Sequence, residues 1–231
     1  MCFNKGLNSF PKQLPWRSTS LILGGNNIGI IRPYSLVSGS LSYVSLSNNG
    51  IMSIEPYGLS GLYSLVYLVL NMNELKKIEK YTFSGLKKLK HLNLEENLIK
   101  YIHEDAFKEL TNLQKLTVKN NPLSTIAEKT FQLETLFFLN LEDCQIKWDS
   151  TYQLLIRRSL RTLKLLNNKI SGIGSKFLPN DHRIISLNLR GMDIHNFNSN
   201  MVKNGKISYF YVKNGELCGI VESYECKVYL D

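Results

Sequence analysis

No apolar run in these 231 residues approaches the 18 or more that a membrane-spanning helix requires, and no charged segment followed by an apolar one opens the chain. Read literally, that describes a soluble, unexported polypeptide. Cysteine is scarce. Cys2, Cys144, Cys218 and Cys226 are too few for a disulfide scaffold and include no C-x-x-C pair for zinc. There is no N-x-S/T acceptor, which is unusual in a long ectodomain. Also absent are a glycine-rich phosphate loop after a strand, a G-x-S-x-G elbow and an H-E-x-x-H pair. The four histidines, His91, His103, His182 and His195, fall at unrelated positions, so no metal cluster is expected. No cofactor is expected either, and the chain reads as a binding surface rather than an enzyme. The 28 Lys and Arg exceed the 19 Asp and Glu to give a net charge of +9, but they are scattered. A solvated surface accounts for most of them, and no nucleic-acid partner is expected.

What the chain does contain is a repeated phrase, L-x-x-L-x-L-x-x-N-x-L/I-x-x-I. Leu65, Leu68, Leu70, Asn73, Leu75 and Ile78 give one copy. Leu89, Leu92, Leu94, Asn97, Ile99 and Ile102 give a second, and Leu113, Leu116, Val118, Asn121, Leu123 and Ile126 a third, each 24 residues after the last. The L-x-L core alternates with period two, so its leucines share one face of a short strand and the x residues the other. The Asn amide has two donors and an acceptor, which suits it to bare backbone where the chain leaves the strand. One such unit buries too little to order itself, so neighbours must stack. Weaker copies extend the array: Leu21 to Ile31 and Leu41 to Ile54 before it, then Leu136 to Ile146, Leu160 to Ile173 and Ile184 to Phe197 after it. Cys144 takes the Asn slot in one of them, as a small buried residue rather than a reactive thiol. Between strands an I-x-x-x-x-F-x-x-L element places Phe83, Phe107 and Phe131 as a spine behind the leucines, and Thr151–Arg157 is expected to form a helical turn instead.

These residues are the mark of a leucine-rich-repeat solenoid. The expected fold is therefore α/β: a curved horseshoe with a parallel β-sheet on its concave face and irregular or short helical returns on the convex side. Two further resemblances concern the ends. Cys2, Gly6, Leu7, Phe10, Pro11, Leu14 and Pro15 resemble the N-terminal cap of extracellular leucine-rich-repeat proteins, with Cys2 as the last knot cysteine and its partner upstream of Met1. The closing run Ile207, Phe210, Val212, Leu217, Cys218 and Cys226 resembles the last strand and hinge of leucine-rich-repeat G-protein-coupled receptors, the relaxin-receptor type in particular. It departs from that pattern at Gly215 and Leu217, where the receptors carry aromatic residues. The resemblance implies a Cys218–Cys226 disulfide and hence an oxidising compartment. Residues 1–16 are then a partial cap, 17–206 about eight repeats of period 23–24, and 207–231 the final strand with a cysteine-containing hinge or C-terminal cap.

The strand x positions face the concave side, the default interaction surface of such a fold. Tyr43, Tyr67, His91, Phe138, Tyr209 and Tyr211 fall there, as do the acidic pairs Glu95/Glu96 and Glu142/Asp143 at the strand exits. Aromatic residues are enriched in interaction hot spots, and a carboxylate pair suits a guanidinium. In relaxin-type receptors, acidic and aromatic residues of this face grip arginines of the hormone, and Glu95, Glu96, Phe138, Glu142 and Asp143 fall at the corresponding slots within their repeats. The leading expectation is a hormone-binding ectodomain, or a fragment of one, at the extracellular side of the plasma membrane, anchored only by a segment absent from this chain. A secreted or matrix adhesion or scaffold protein is the second, and an intracellular repeat scaffold the third. All three take a protein or peptide partner.

Overall fold

The computed structural model describes residues 2–15, 17–192, 194, 196–197, 207–212 and 225–228. Three-residue strands and two-residue second rungs alternate along the first turns: β1 (Ser20–Ile22) and β2 (Ile30–Ile31), then β3 (Tyr43–Ser45) and β4 (Ser53–Ile54). β5 (Tyr67–Val69) and β6 (Lys77–Ile78) follow, then β7 (His91–Asn93) and β8 (Tyr101–Ile102). β9 (Lys115–Thr117), β10 (Phe138–Asn140) and β11 (Thr162–Lys164) come next, with β12 (Gly172–Ile173) behind the last of them. The array ends with β13 (Ser186–Asn188), β14 (Asn196–Phe197), β15 (Tyr209–Val212) and β16 (Glu225–Val228). The three-residue strands, with β15 and β16, form one parallel sheet in the order β1-β3-β5-β7-β9-β10-β11-β13-β15-β16. Each strand pairs only with the turns before and after it, which is the expected horseshoe.

The register puts one row of side chains inside. Leu21, Val44, Leu68, Leu92, Leu116, Leu139, Leu163, Leu187 and Phe210 stand opposite one another from strand to strand and are all buried. Phe83, Phe107 and Phe131 stack behind them with ring centroids 5.9 and 6.1 Å apart, as the spacing predicts. Apolar burial at this density is the main stabilising term.

The Asn residues join turn to turn. Asn121 Nδ2 donates to Leu94 O one turn back (3.0 Å) and to Val118 O in its own turn (2.7 Å), while its Oδ1 accepts from Ile99 N (2.9 Å). Asn73, Asn97 and Asn168 repeat the arrangement. At Cys144 the thiol still donates to Val118 O, at 3.5 Å, but it has no acceptor in the place of Oδ1. Leu123 N, which would have used that acceptor, closes on Asn121 O instead (2.8 Å). The residue before the ladder position is left-handed in turn after turn: Asn48, Met72, Glu96, Asn120, Asp143 and Asn167 have φ between 52° and 57°. Residues 2–7 add a truncated rung. Cys2 N and Asn4 N donate to Ile22 O and Gly24 O, and Asn26 Oδ1 accepts from Lys5 N and Leu7 N.

Of the irregular or short helical returns expected, the irregular form is the one found, and the helical turn expected of Thr151–Arg157 is corrected. Among the described residues the returns are turns and extended segments without a helix. In Thr151–Arg157, Leu154 N donates to Phe177 O of the next turn and Leu155 N to Glu128 O of the previous one. Backbone committed sideways in this way cannot also close i→i−4 bonds. Tyr152 reinforces the choice by stacking on Trp148 at 4.3 Å and donating its hydroxyl to Ile126 O. β16 was also unforeseen. It sets Cys226 in register with Phe210.

Candidate functional site

The outward residues of the sheet form parallel rows about 4.8 Å apart from turn to turn. In the first row Tyr43, Tyr67, His91, Lys115, Phe138, Thr162, Ser186 and Tyr209 are in register. Its N-terminal part is a continuous aromatic strip. Tyr67 and His91 stack with centroids 4.4 Å apart and planes 3° from parallel, and Tyr43 lies 6.2 Å from Tyr67 in a tilted arrangement. Tyr67 is 43% exposed, so the strip meets solvent. Partial burial holds the His91 imidazole below its usual range, helped by the cations of Lys115 and Lys90, so the ring stacks as a neutral group at physiological pH.

The acidic residues diverge. Glu142 is buried: Asn140 Nδ2 donates to one carboxylate oxygen (3.1 Å), Asn188 Nδ2 reaches the other (3.4 Å), and Lys164 Nζ stands 4.0 Å away. Lys164 also lies 5.8 Å from the Phe138 ring centroid, which ties Phe138 and Glu142 into one local cluster. Asp143, next in sequence, takes the left-handed position, pairs with Lys119 at 3.6 Å and accepts from Asn167 Nδ2 at 2.8 Å. Glu95 is half-buried and Glu96 exposed at the equivalent turn of β7. Tyr209 and Tyr211 lie on β15, five strands beyond His91, roughly 24 Å along the sheet. The ten residues therefore fall in four groups along the sheet: the aromatic strip, the Glu95/Glu96 turn, the Phe138–Glu142 cluster with Asp143, and the terminal tyrosines. Cys218 lies outside the described residues, and Cys226 is described by its backbone alone.

Two features escaped the sequence. Tyr57 and Tyr81 stack on the return side at 5.4 Å, because residues 24 apart meet in neighbouring turns. A cavity of about 550 Å³ opens on the rim leading into β11 and β13, lined by Arg158, Arg161, Asn180, Asp181, His182, Arg183 and Ile185. The basic run Arg157-Arg158-Ser159-Leu160-Arg161 was its visible signal. Among the described residues no group of three His, Cys, Asp or Glu could hold a metal ion, and no helix is long and apolar enough to cross a membrane.

The family model described as Leucine rich repeat matches residues 39–99, 64–123 and 96–146. No curated protein matches the sequence significantly. Among solved structures, human 5T4 (Wnt-activated inhibitory factor 1, Trophoblast glycoprotein) superposes with a TM-score of 0.69 over 98% of this chain and 83% of that one, at 19% identity. That likeness establishes the shared fold. With 312 matching chains the architecture is common, so function must be argued from the site.

Proposed function

We propose that this leucine-rich-repeat protein is an extracellular protein-binding module whose ligand docks on the concave face, centred on the strip Tyr43–Tyr67–His91. The observation that carries the reading is the exposed, co-stacked strip itself. Core packing does not require it, since the opposite face of the same strands already supplies Val44, Leu68 and Leu92. Rigid aromatic anchors give contact area at small entropic cost, and the Ser, Asn and Thr of the second row supply adaptable hydrogen bonds. The cap-like rung at residues 2–7 supports placement outside the cell.

The finer reading is the hormone-binding ectodomain of a G-protein-coupled receptor at the plasma membrane. Its support is the closing run with Cys218 and Cys226, and Glu95 and Glu96 beside the strip. A secreted adhesion or matrix protein would use the same face. Because Glu142 and Asp143 are already held by amides and lysines, Glu95 and Glu96 are the carboxylates best placed for an arginine of the ligand.

The test is a binding screen of the full chain against arrayed ectodomains and peptide hormones. Hits are re-measured with Tyr67→Ala/His91→Ala and with Tyr57→Ala/Tyr81→Ala on the return side. The concave pair is expected to weaken a true ligand at least tenfold and the return-side pair to leave it unchanged. Hits sensitive only to the return-side pair would end the reading.

A further inference from the structure

The rim cavity beside β11 and β13 has a charge arrangement that the concave-face reading does not use. Arg158 is neutralised by Asp181, whose carboxylate lies 2.7 Å from its Nε. Arg161 donates only to the backbone carbonyls of Arg158 and Leu160, and Arg183 forms no ion pair among the described residues. Two guanidinium charges therefore face about 550 Å³ of open space with no carboxylate assigned to them. Arginine forks match tetrahedral and planar oxyanions bidentately, and the volume lies within the range of ligand sites.

The positive charge continues beyond the cavity. Arg161 is hydrogen-bonded in register through Phe137 and Gln114 to Lys90, three strands along the same rim and roughly 14 Å away. Lys87, Lys88 and Lys90 are exposed and form no ion pairs among the described residues. The intervening carboxylate Glu134 is taken by Arg157 at 2.9 Å. A pocket of two guanidinium groups with a spaced second patch of cations asks for a chain carrying repeated anionic groups.

We propose that this rim binds a sulfated polysaccharide, with one sulfate seated between Arg161 and Arg183 and a later one at Lys87–Lys90. A nucleic acid is disfavoured because no Tyr, Phe or Trp lines the cavity to stack a base. An acidic protein is disfavoured because Ile185 is the single apolar lining residue, too little for a protein hot spot. The amide of Asn180 adds a donor and an acceptor suited to sugar hydroxyls.

The experiment is calorimetric titration of the full chain with a heparin-derived hexasaccharide, its desulfated form and poly-glutamate, at low and at physiological salt. The sulfated saccharide is expected to bind with an affinity that falls as salt rises, and the desulfated form not to bind. Arg183→Gln and Arg161→Gln are each expected to weaken binding about tenfold. Lys5→Gln/Lys12→Gln, far from the rim, and the concave pair Tyr67→Ala/His91→Ala leave it unchanged. Arg183 is exposed and forms no ion pair among the described residues, so its variant keeps the parent melting temperature and the comparison stands even where Arg161→Gln perturbs its loop. Absence of binding to the sulfated saccharide overturns the proposal. Equal loss in the lysine control does so too, since it would mean diffuse charge. Binding of poly-glutamate as tight as the saccharide would assign the rim to an acidic protein.

Discussion

A single substitution in the ladder exposes what the ladder does. Cys144 keeps the donor half of the Asn role, reaching Val118 O, and loses the acceptor half, so Leu123 N turns back on Asn121 O. Cys144→Asn restores an acceptor and should raise stability by about 1 kcal/mol in urea unfolding, the net contribution of one buried hydrogen bond. A destabilised Cys144→Asn variant would mean that the local chain has relaxed around sulfur. Burial also pushes the Cys144 thiol up to about 12 from an ordinary 9. A thiol that stays protonated in the folded state but ionises when unfolded favours folding below about pH 9, and this contribution is lost as pH rises toward 12. Melts of the parent and of Cys144→Asn should therefore diverge above pH 9, and iodoacetamide at pH 8 should label Cys2 and spare Cys144 until the chain unfolds. His91 works in the opposite sense. Its folded value is held below 6.5, so its contribution is present above 6.5 and lost as pH falls through the lowered folded value. The His91 midpoint by NMR should lie below 6.5 and move upward in Lys115→Gln, which removes one of the depressing cations. A midpoint above 6.5 in the parent would contradict the half-buried, cation-flanked geometry.

At the scale of the element, the strands were legible and the returns were not. The L-x-L alternation and the fixed Asn define each three-residue strand and its register, so the inward row from Leu21 to Leu187 could be read directly. The Phe spine was legible for the same reason: the spacing of Phe83, Phe107 and Phe131 equals the turn length, so the rings must meet. Phe107→Ala removes the middle ring of that stack and should cost about 3–5 kcal/mol, measured by chemical unfolding. A cost below about 1 kcal/mol would mean the returns carry little of the packing. Thr151–Arg157 was misread because its structure depends on partners in other turns. Trp148 lies under Tyr152, and Phe177 O and Glu128 O take its backbone donors. No periodicity within seven residues records those contacts. The rim cavity was hidden similarly: Arg161 and Arg183 are 22 apart in sequence and become neighbours only once the turns stack.

Across the whole molecule, stability is transmitted from turn to turn. Every inner strand of the main sheet contacts its two neighbours and each edge strand one, so removing a contact weakens adjacent turns before distant ones. The charge distribution follows the chain as well. Residues 18–73 contain no charged side chain except Arg32 and Glu55, which pair with each other at 3.6 Å, and the exposed strip Tyr43–Tyr67 lies within this uncharged stretch. Ligand binding at the strip should therefore respond less to salt than binding at the rim, where the contacts are wholly between charges. The order of the turns was legible because a fixed period counts itself, whereas β16 lies past the last repeat of that period. The distribution of function over the surface was not, since that depends on which residues neighbouring turns bring together. Nearest-neighbour coupling makes a direct prediction for hydrogen exchange. Amides of β7 and β9, flanked by paired strands on both sides, should exchange slowest, and protection should fall toward β1. In Phe107→Ala the loss of protection should be largest in β7, β9 and β10 and small in β1 and β13, because the missing ring touches only its own and adjacent turns. A uniform drop across all strands would instead mean that the solenoid opens as one cooperative unit and that its ends are held as firmly as its middle.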